Sequence, residues 1–216
     1  GVDGSKAAMF EDLSRNLIEA KAVGMSTVLI LPGEFDHEFV DAWESGGEDG
    51  ALASIPFELE QNPEFHMGGG GLYGTAGDYI KFTQMILNKG RGNGNQVLKP
   101  ETVAQMGQNN IGDLTMGRMP TALPAYTNDV DLYPDIVKKW GLSFLINTAK
   151  TPEGRSAGSL AWAGLANTYF WIDPARNVAG VILMQLLPFA DAKALETFAG
   201  FERGIYAGLD AGQKAA

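Results

Sequence analysis

The chain has 216 residues, 45% hydrophobic and 19% charged, a globular make-up that argues against disorder and suffices for one large domain or one and a half small ones. Cysteine is absent, which removes disulfides, thiolate metal sites and cysteine nucleophiles. The whole net charge of −10 sits in residues 1–60, with 3 Lys or Arg against 13 Asp or Glu, while the rest is balanced, so a polyanion finds no attractive surface and nucleic-acid binding is not expected. No apolar run approaches a membrane span and no basic-then-apolar start reads as a signal peptide, which favours a cytoplasmic protein with no membrane contact.

In chain order, residues 7–10 form a short apolar run suited to a buried strand, followed by the acids Glu11 and Asp12. Residues 13–23 place Leu13, Leu17, Ile18 and Ala22 at near-helical spacing, with Gly24 as the stop. Residues 27–31 are an unbroken run rich in β-branched residues, which predicts a strand buried on both faces. Strand, helix and strand make a βαβ, Rossmann-like unit, which needs neighbouring strands to bury its faces. Residues 34–67 are acidic and irregular. After Gly68–Gly71, a helix is predicted with Thr75 as N-cap, Asp78 in its first turn and Tyr79, Phe82, Met85 and Ile86 as its apolar face. Pro100 opens a second helix through about Gln108, and residues 109–138 form a long proline-bearing loop. Strands are then expected at 140–147, 159–163, 168–172 and 178–185, with a hairpin turn at Asp173–Asn177, and a helix from Leu195 to Leu209 closes the chain. The fold class is α+β. The step in charge near residue 55 divides the chain into residues 1–53 and 54–216.

Three stretches carry chemistry in the second part: Met67 to Tyr79 (MGGGGLYGTAGDY), Val97 to Val103 (VLKPETV), and Ala161 to Gly164 (AWAG) running on to Asp173 and Pro174. In order and spacing they resemble the C-terminal part of the β-lactamase-like serine hydrolases, nearest to the family VIII carboxylesterases and class C β-lactamases, over residues ~56–210. The resemblance implies a partial β-lactamase/transpeptidase-like fold, an antiparallel sheet with packing helices, and ester or amide hydrolysis through an acyl-serine on a small-molecule substrate, with no cofactor. Trp162, Gly164 and the Leu165 N–H match the family's strand motif. Glycine there leaves room for an acyl group, and the N–H that follows points at a developing oxyanion.

The catalytic constellation is not complete. No Ser is followed three residues later by Lys. Tyr126–Asn128 spells Tyr-x-Asn but follows the glycine-rich stretch, whereas the family's catalytic Tyr precedes it, so Tyr126 reads as a loop residue. His37 and His66 lie in polar, irregular segments and read as solvated. Gly69–Gly74 formally spells a dinucleotide fingerprint, but no buried strand feeds it. Little or no hydrolysis is expected from the chain by itself.

Residues ~4–45 have a resemblance of their own. Met9 to Leu17 and Ala20 to Ile30 are similar to the last motif of haloacid dehalogenase-like phosphatases of the pyrimidine nucleotidase type. That resemblance implies Glu11 and Asp12 as Mg²⁺ ligands, oxygen donors that suit the ion. The same acids would equally complement the N-terminus of the helix that follows, with no metal. The chain thus reads as two C-terminal hydrolase fragments in series, of natural, erroneous or engineered origin. A third reading is a non-catalytic binding module, with self-association through a strand edge near Trp140–Asn147.

Overall fold

The computed structural model describes residues 8–11, 26–29, 62, 64, 65 and 73–214. Strands β1 (Ala8–Glu11) and β2 (Ser26–Leu29) pair in parallel, Ala8 opposite Ser26. They fall where the two N-terminal strands are predicted. The helix expected between them lies outside the described residues, and the Rossmann-like reading of this segment goes no further than the pair.

Helix α1 (Ala76–Leu87) starts where the sequence places it. Thr75 Oγ1 accepts from the Asp78 N–H at 3.2 Å and the Asp78 carboxylate accepts from the Thr75 N–H at 3.3 Å, a reciprocal capping box that satisfies two otherwise orphaned donors. Its buried face is Ala76, Ile80, Thr83, Met85 and Ile86. Phe82, expected on that face, is instead exposed at its margin, and Tyr79 is half-buried. A small hairpin, β3 (Arg91–Gly92) and β4 (Asn95–Gln96), leads to helix α2 (Pro100–Met106), with proline at its first position.

Five antiparallel strands follow in the order β5 (Lys138–Trp140), β6 (Leu145–Asn147), β7 (Leu160–Gly164), β8 (Thr168–Asp173), β9 (Val178–Ile182). The single strand predicted over 140–147 is in fact the β5–β6 hairpin. Gly141 turns the chain, its N–H donating to the Phe144 carbonyl at 2.8 Å, and a side chain at Gly141 would collide with the Met106 carbonyl. The hydrophobic run hides this turn because the residues on both sides of it are strand formers.

Side chains of β6–β9 alternate between two cores. Ile146, Leu160, Phe170, Ile172 and Val181 pack against α1. Ala161, Tyr169, Trp171, Val178 and Ile182 pack against helix α3 (Ala192–Lys214) through Phe198, Phe201 and Tyr206. Trp171 has no exposed surface, and Gly180 stands opposite it because any side chain there would enter the indole ring. Each large apolar side chain so buried stabilises the fold by about 1.5–3 kcal/mol.

Helix α3 begins earlier than predicted because Asp191 caps it: its Oδ1 accepts from the N–H groups of Lys193 and Ala194 at 2.9 and 3.0 Å. The long loop wraps the sheet. Its Asn110 and Met116 N–H groups donate to the Trp140 and Lys138 carbonyls at 2.8 and 3.0 Å, so the edge expected to stand open near Trp140 is covered along β5. Buried Lys138 in turn pins the end of the loop through Asp131 Oδ1 and the Tyr133 carbonyl, at 2.8 and 2.9 Å. Among the described residues no helix is long and apolar enough to cross a membrane.

Candidate functional site

The Trp162–Leu165 segment occupies the free end of β7. The strand pairs with β8 along its whole length, from Leu160 opposite Ile172 to Gly164 opposite Thr168. With β6 it pairs only at Leu160 and Ala161. Residues 162–164 therefore project past β6, with one backbone edge paired and the other open. The Gly164 carbonyl faces β8's turn, accepting from the Asn167 N–H at 3.0 Å. The alternation of an antiparallel ladder then directs the backbone groups of Ala163 to the open side, and Leu165 begins the turn that follows. Among the described residues the Leu165 N–H has no backbone acceptor, and the Leu165 side chain is exposed.

Asn167 holds this turn. Its φ of 62° lies in the left-handed region, which asparagine tolerates better than most residues. The side chain is fully buried and its hydrogen bonds are all local to this end of the sheet. Nδ2 donates to the Leu186 and Pro188 carbonyls, each at 2.8 Å, and Oδ1 accepts from the Tyr169 hydroxyl at 2.8 Å and the Asp191 N–H at 3.3 Å. The Ala166 carbonyl accepts from the Leu186 N–H at 3.2 Å. One side chain thus ties the β7–β8 turn to the segment leading into α3. The sequence reading passed over Asn167; an asparagine directly before a predicted strand was the available signal.

Trp162 is half-buried, on the α1 side of the sheet, its ring edge-on to Trp140 at 4.5 Å between centroids. It is both a core aromatic and a wall of the projecting strand. A Cβ placed on Gly164 would meet the Thr168 Cβ at 3.5 Å and the Thr168 carbonyl oxygen at 3.9 Å, both ordinary contacts. Packing does not demand glycine there, so what it provides is open space beside the turn.

On the same end of the sheet, a groove of about 560 Å³ runs between α1 and β8, lined by Tyr73, Tyr79, Phe82, Thr168, Leu183 and Gln185 together with Thr75 and Asp78. Two of its titratable neighbours, Asp78 and Tyr79, are already committed. The hydrogen bonds from Thr75, and a further one from Lys81, hold the Asp78 carboxyl below its usual range. Burial pushes the Tyr79 hydroxyl up, so it stays protonated and is no ready base.

Ser159 is buried, its hydroxyl bonded to Asn147 Oδ1; Ser143 is exposed in the β5–β6 turn at φ 78°; the Ser156 N–H is bonded to Asp173 Oδ2 at 2.8 Å. Tyr126 sits half-exposed in the long loop, its carbonyl accepting from the Phe189 N–H at 2.8 Å. Glu11 ends β1; its side chain, and Asp12, His37, His66 and Gly68–Gly71, lie outside the described residues. Among the described residues no group of three or more His, Asp or Glu could hold a metal ion.

A buried ionic cluster escaped the sequence reading altogether. Arg155 makes a two-pronged bond to Glu202 on α3, Nε to Oε1 at 2.5 Å and Nη2 to Oε2 at 2.6 Å. Tyr133 accepts from Arg155 Nη2 at 2.9 Å and donates to Glu202 Oε2 at 3.2 Å. Burial first, and then the Glu202 charge, push the Tyr133 hydroxyl far above its ordinary value, although the Arg155 charge opposes them. These contacts join loop, sheet connection and helix across long sequence separations.

Comparison with known proteins completes the picture. The sequence matches the Beta-lactamase family over residues 25–202. Protein Rv1367c of Mycobacterium tuberculosis is 29% identical over 145 residues, covering 64% of this chain and 33% of its own. The acyltransferase CalJ of Penicillium decumbens is 26% identical over 149 residues, covering 68% and 35%. Among solved structures, unliganded simvastatin synthase (LovD) of Aspergillus terreus aligns with a TM-score of 0.46 at 22% identity, over 61% of this chain and 34% of that one. The chain spans about a third of the length of the curated relatives it matches. The phosphatase resemblance of residues 4–45 finds no support here, and the family match begins within that segment. With its antiparallel sheet, its flanking helices and a family match across most of its length, the chain belongs to the Beta-lactamase family.

Proposed function

We propose that residues ~56–210 form the oxyanion-side wall of an acyl-transfer site that acts on ester or amide bonds, carboxylesterase-like in substrate, through an acyl-serine borne on a Ser-x-x-Lys element outside this sequence. In this reading the Leu165 N–H donates to the developing oxyanion, Gly164 leaves room for the acyl group, and Trp162 walls the strand. The observation that carries it is the half-paired end of β7, where the partnering of β6 stops at Ala161 and the Leu165 N–H has no backbone acceptor among the described residues. A fixed donor at such a site costs nothing to reorganise during reaction, which is how an oxyanion hole accelerates acyl transfer. The name of the relative CalJ, an acyltransferase, fits an acceptor other than water.

Two measurements test this. A fluorophosphonate probe should leave the chain alone unlabelled, because no serine in it has the Lys partner; stoichiometric labelling of any serine would overturn that part. Joined to a nucleophile-bearing region from a family relative, the chain should hydrolyse p-nitrophenyl butyrate. There Leu165→Pro, which deletes the donor at a turn position that proline tolerates, should lower kcat about 100-fold or more. An unchanged kcat would remove Leu165 from the site.

A further inference from the structure

On the other face of the sheet, a cavity of about 210 Å³ lies between β6–β8, α3 and the end of the long loop. Leu145, Ala161 and Tyr169 form its floor, Leu195 and Phe198 its roof, and Leu132 one side. The polar groups that reach it are Asp131, Glu153, Arg155 and the Tyr133 hydroxyl. Three of these are occupied. Asp131 Oδ1 accepts from Lys138 Nζ at 2.8 Å, and Arg155 and Tyr133 are bound to each other and to Glu202. Glu153 is not: its Oε2 is buried without a hydrogen-bond partner, and its Oε1 lies 3.6 Å from the Nη1 of exposed Arg203.

A desolvated carboxylate oxygen on a residue that lines an apolar chamber is costly unless a donor reaches it, and a charged donor repays most. The Lys138–Asp131 and Arg155–Glu202 pairs balance internally and Arg203 offsets the Glu153 charge from the Oε1 side, which leaves Glu153 Oε2 as the unpartnered acceptor in the wall. We propose that this cavity is a binding site for a small ammonium compound with an apolar body, the ammonium donating to Glu153 Oε2 and the body packing between Tyr169, Leu132 and Phe198. The volume is below that of drug-sized pockets, so the ligand is of one-ring size. The site faces α3, away from the groove beside α1, and is independent of any acyl-transfer chemistry.

Benzylammonium and the neutral benzyl alcohol are the probes, titrated calorimetrically into the full chain at neutral pH. Benzylammonium should bind saturably and at least about ten-fold more tightly than the alcohol, the margin of a charge-assisted bond over a neutral one. Glu153→Gln should erase that preference, and Leu132→Trp, which fills the chamber with Glu153 intact, should abolish binding of both. Equal affinity for the two probes, a preference that survives Glu153→Gln, binding that survives Leu132→Trp, or no saturable binding of benzylammonium would each overturn the proposal. Should Glu153→Gln fail to fold, the two-probe comparison and Leu132→Trp decide it.

Discussion

Single residues with unusual surroundings carry much of the order in this fold, and their removal should be disproportionate. Asn167 combines a left-handed backbone with four side-chain hydrogen bonds. Asn167→Ala should cost about 3–4 kcal/mol in urea unfolding, combining the conformational penalty with bonds lost to buried partners. Asn167→Gly should recover only the conformational share. Arg155 and Glu202 form a buried ion pair, so the truncation Arg155→Ala strands a carboxylate and should cost about 3–5 kcal/mol. Replacing both partners together, Arg155→Met with Glu202→Leu, should cost less than that single truncation; a double change as damaging as the sum of the two singles would show the pair to be uncoupled.

At the level of elements, legibility in the sequence followed the range of the forces involved. The capping box at Thr75 and Asp78 is local chemistry over three residues, and it was readable. Thr75→Ala should lower stability by about 1 kcal/mol, measurable as a drop in the urea midpoint. The meander β7–β8–β9 was readable too, because its strands are apolar runs separated by turn residues. The β5–β6 turn was not, since Gly141 works through a steric contact with Met106, a residue of α2 far from it in sequence. Helix α1's buried face was misjudged for a similar reason: periodicity gives an apolar stripe but does not say that the groove would leave Phe82 at its edge. Of the candidate site, Trp162, Gly164 and Leu165 came from motif resemblance, while the early end of β6 pairing beside them is a matter of register that no local pattern encodes.

Across the whole molecule, tyrosines report the integrity of packing. Burial raises Tyr79, Tyr133, Tyr169 and Tyr206 above the ordinary tyrosine value, Tyr169 to about 12. The folded state thus keeps protons that the unfolded chain gives up from about pH 10 onward. Their contribution is fully present below pH ~10 and is lost as pH climbs toward the folded-state values. The urea midpoint should therefore drop as pH rises from ~10 to ~12, with ultraviolet absorbance showing these four rings ionising only as the chain unfolds. A flat midpoint over that interval would mean the rings are accessible.

The half-paired end of β7 has a mechanical consequence. The strand is a cantilever, clamped between two neighbours at Leu160 and Ala161 and supported on one side alone beyond that point. Its tip is braced from below by the Asn167 side chain, which reaches the Leu186 and Pro188 carbonyls, and by the Ala166 carbonyl, which accepts from the Leu186 N–H. Stiffness should therefore decline along the strand: amide hydrogens at Ala161 exchange slowly, those at Ala163 and Leu165 much faster, and Asn167→Gly softens the tip while leaving the clamp unchanged. Compliance placed at the tip lets that end of the strand move without disturbing the sheet that holds it.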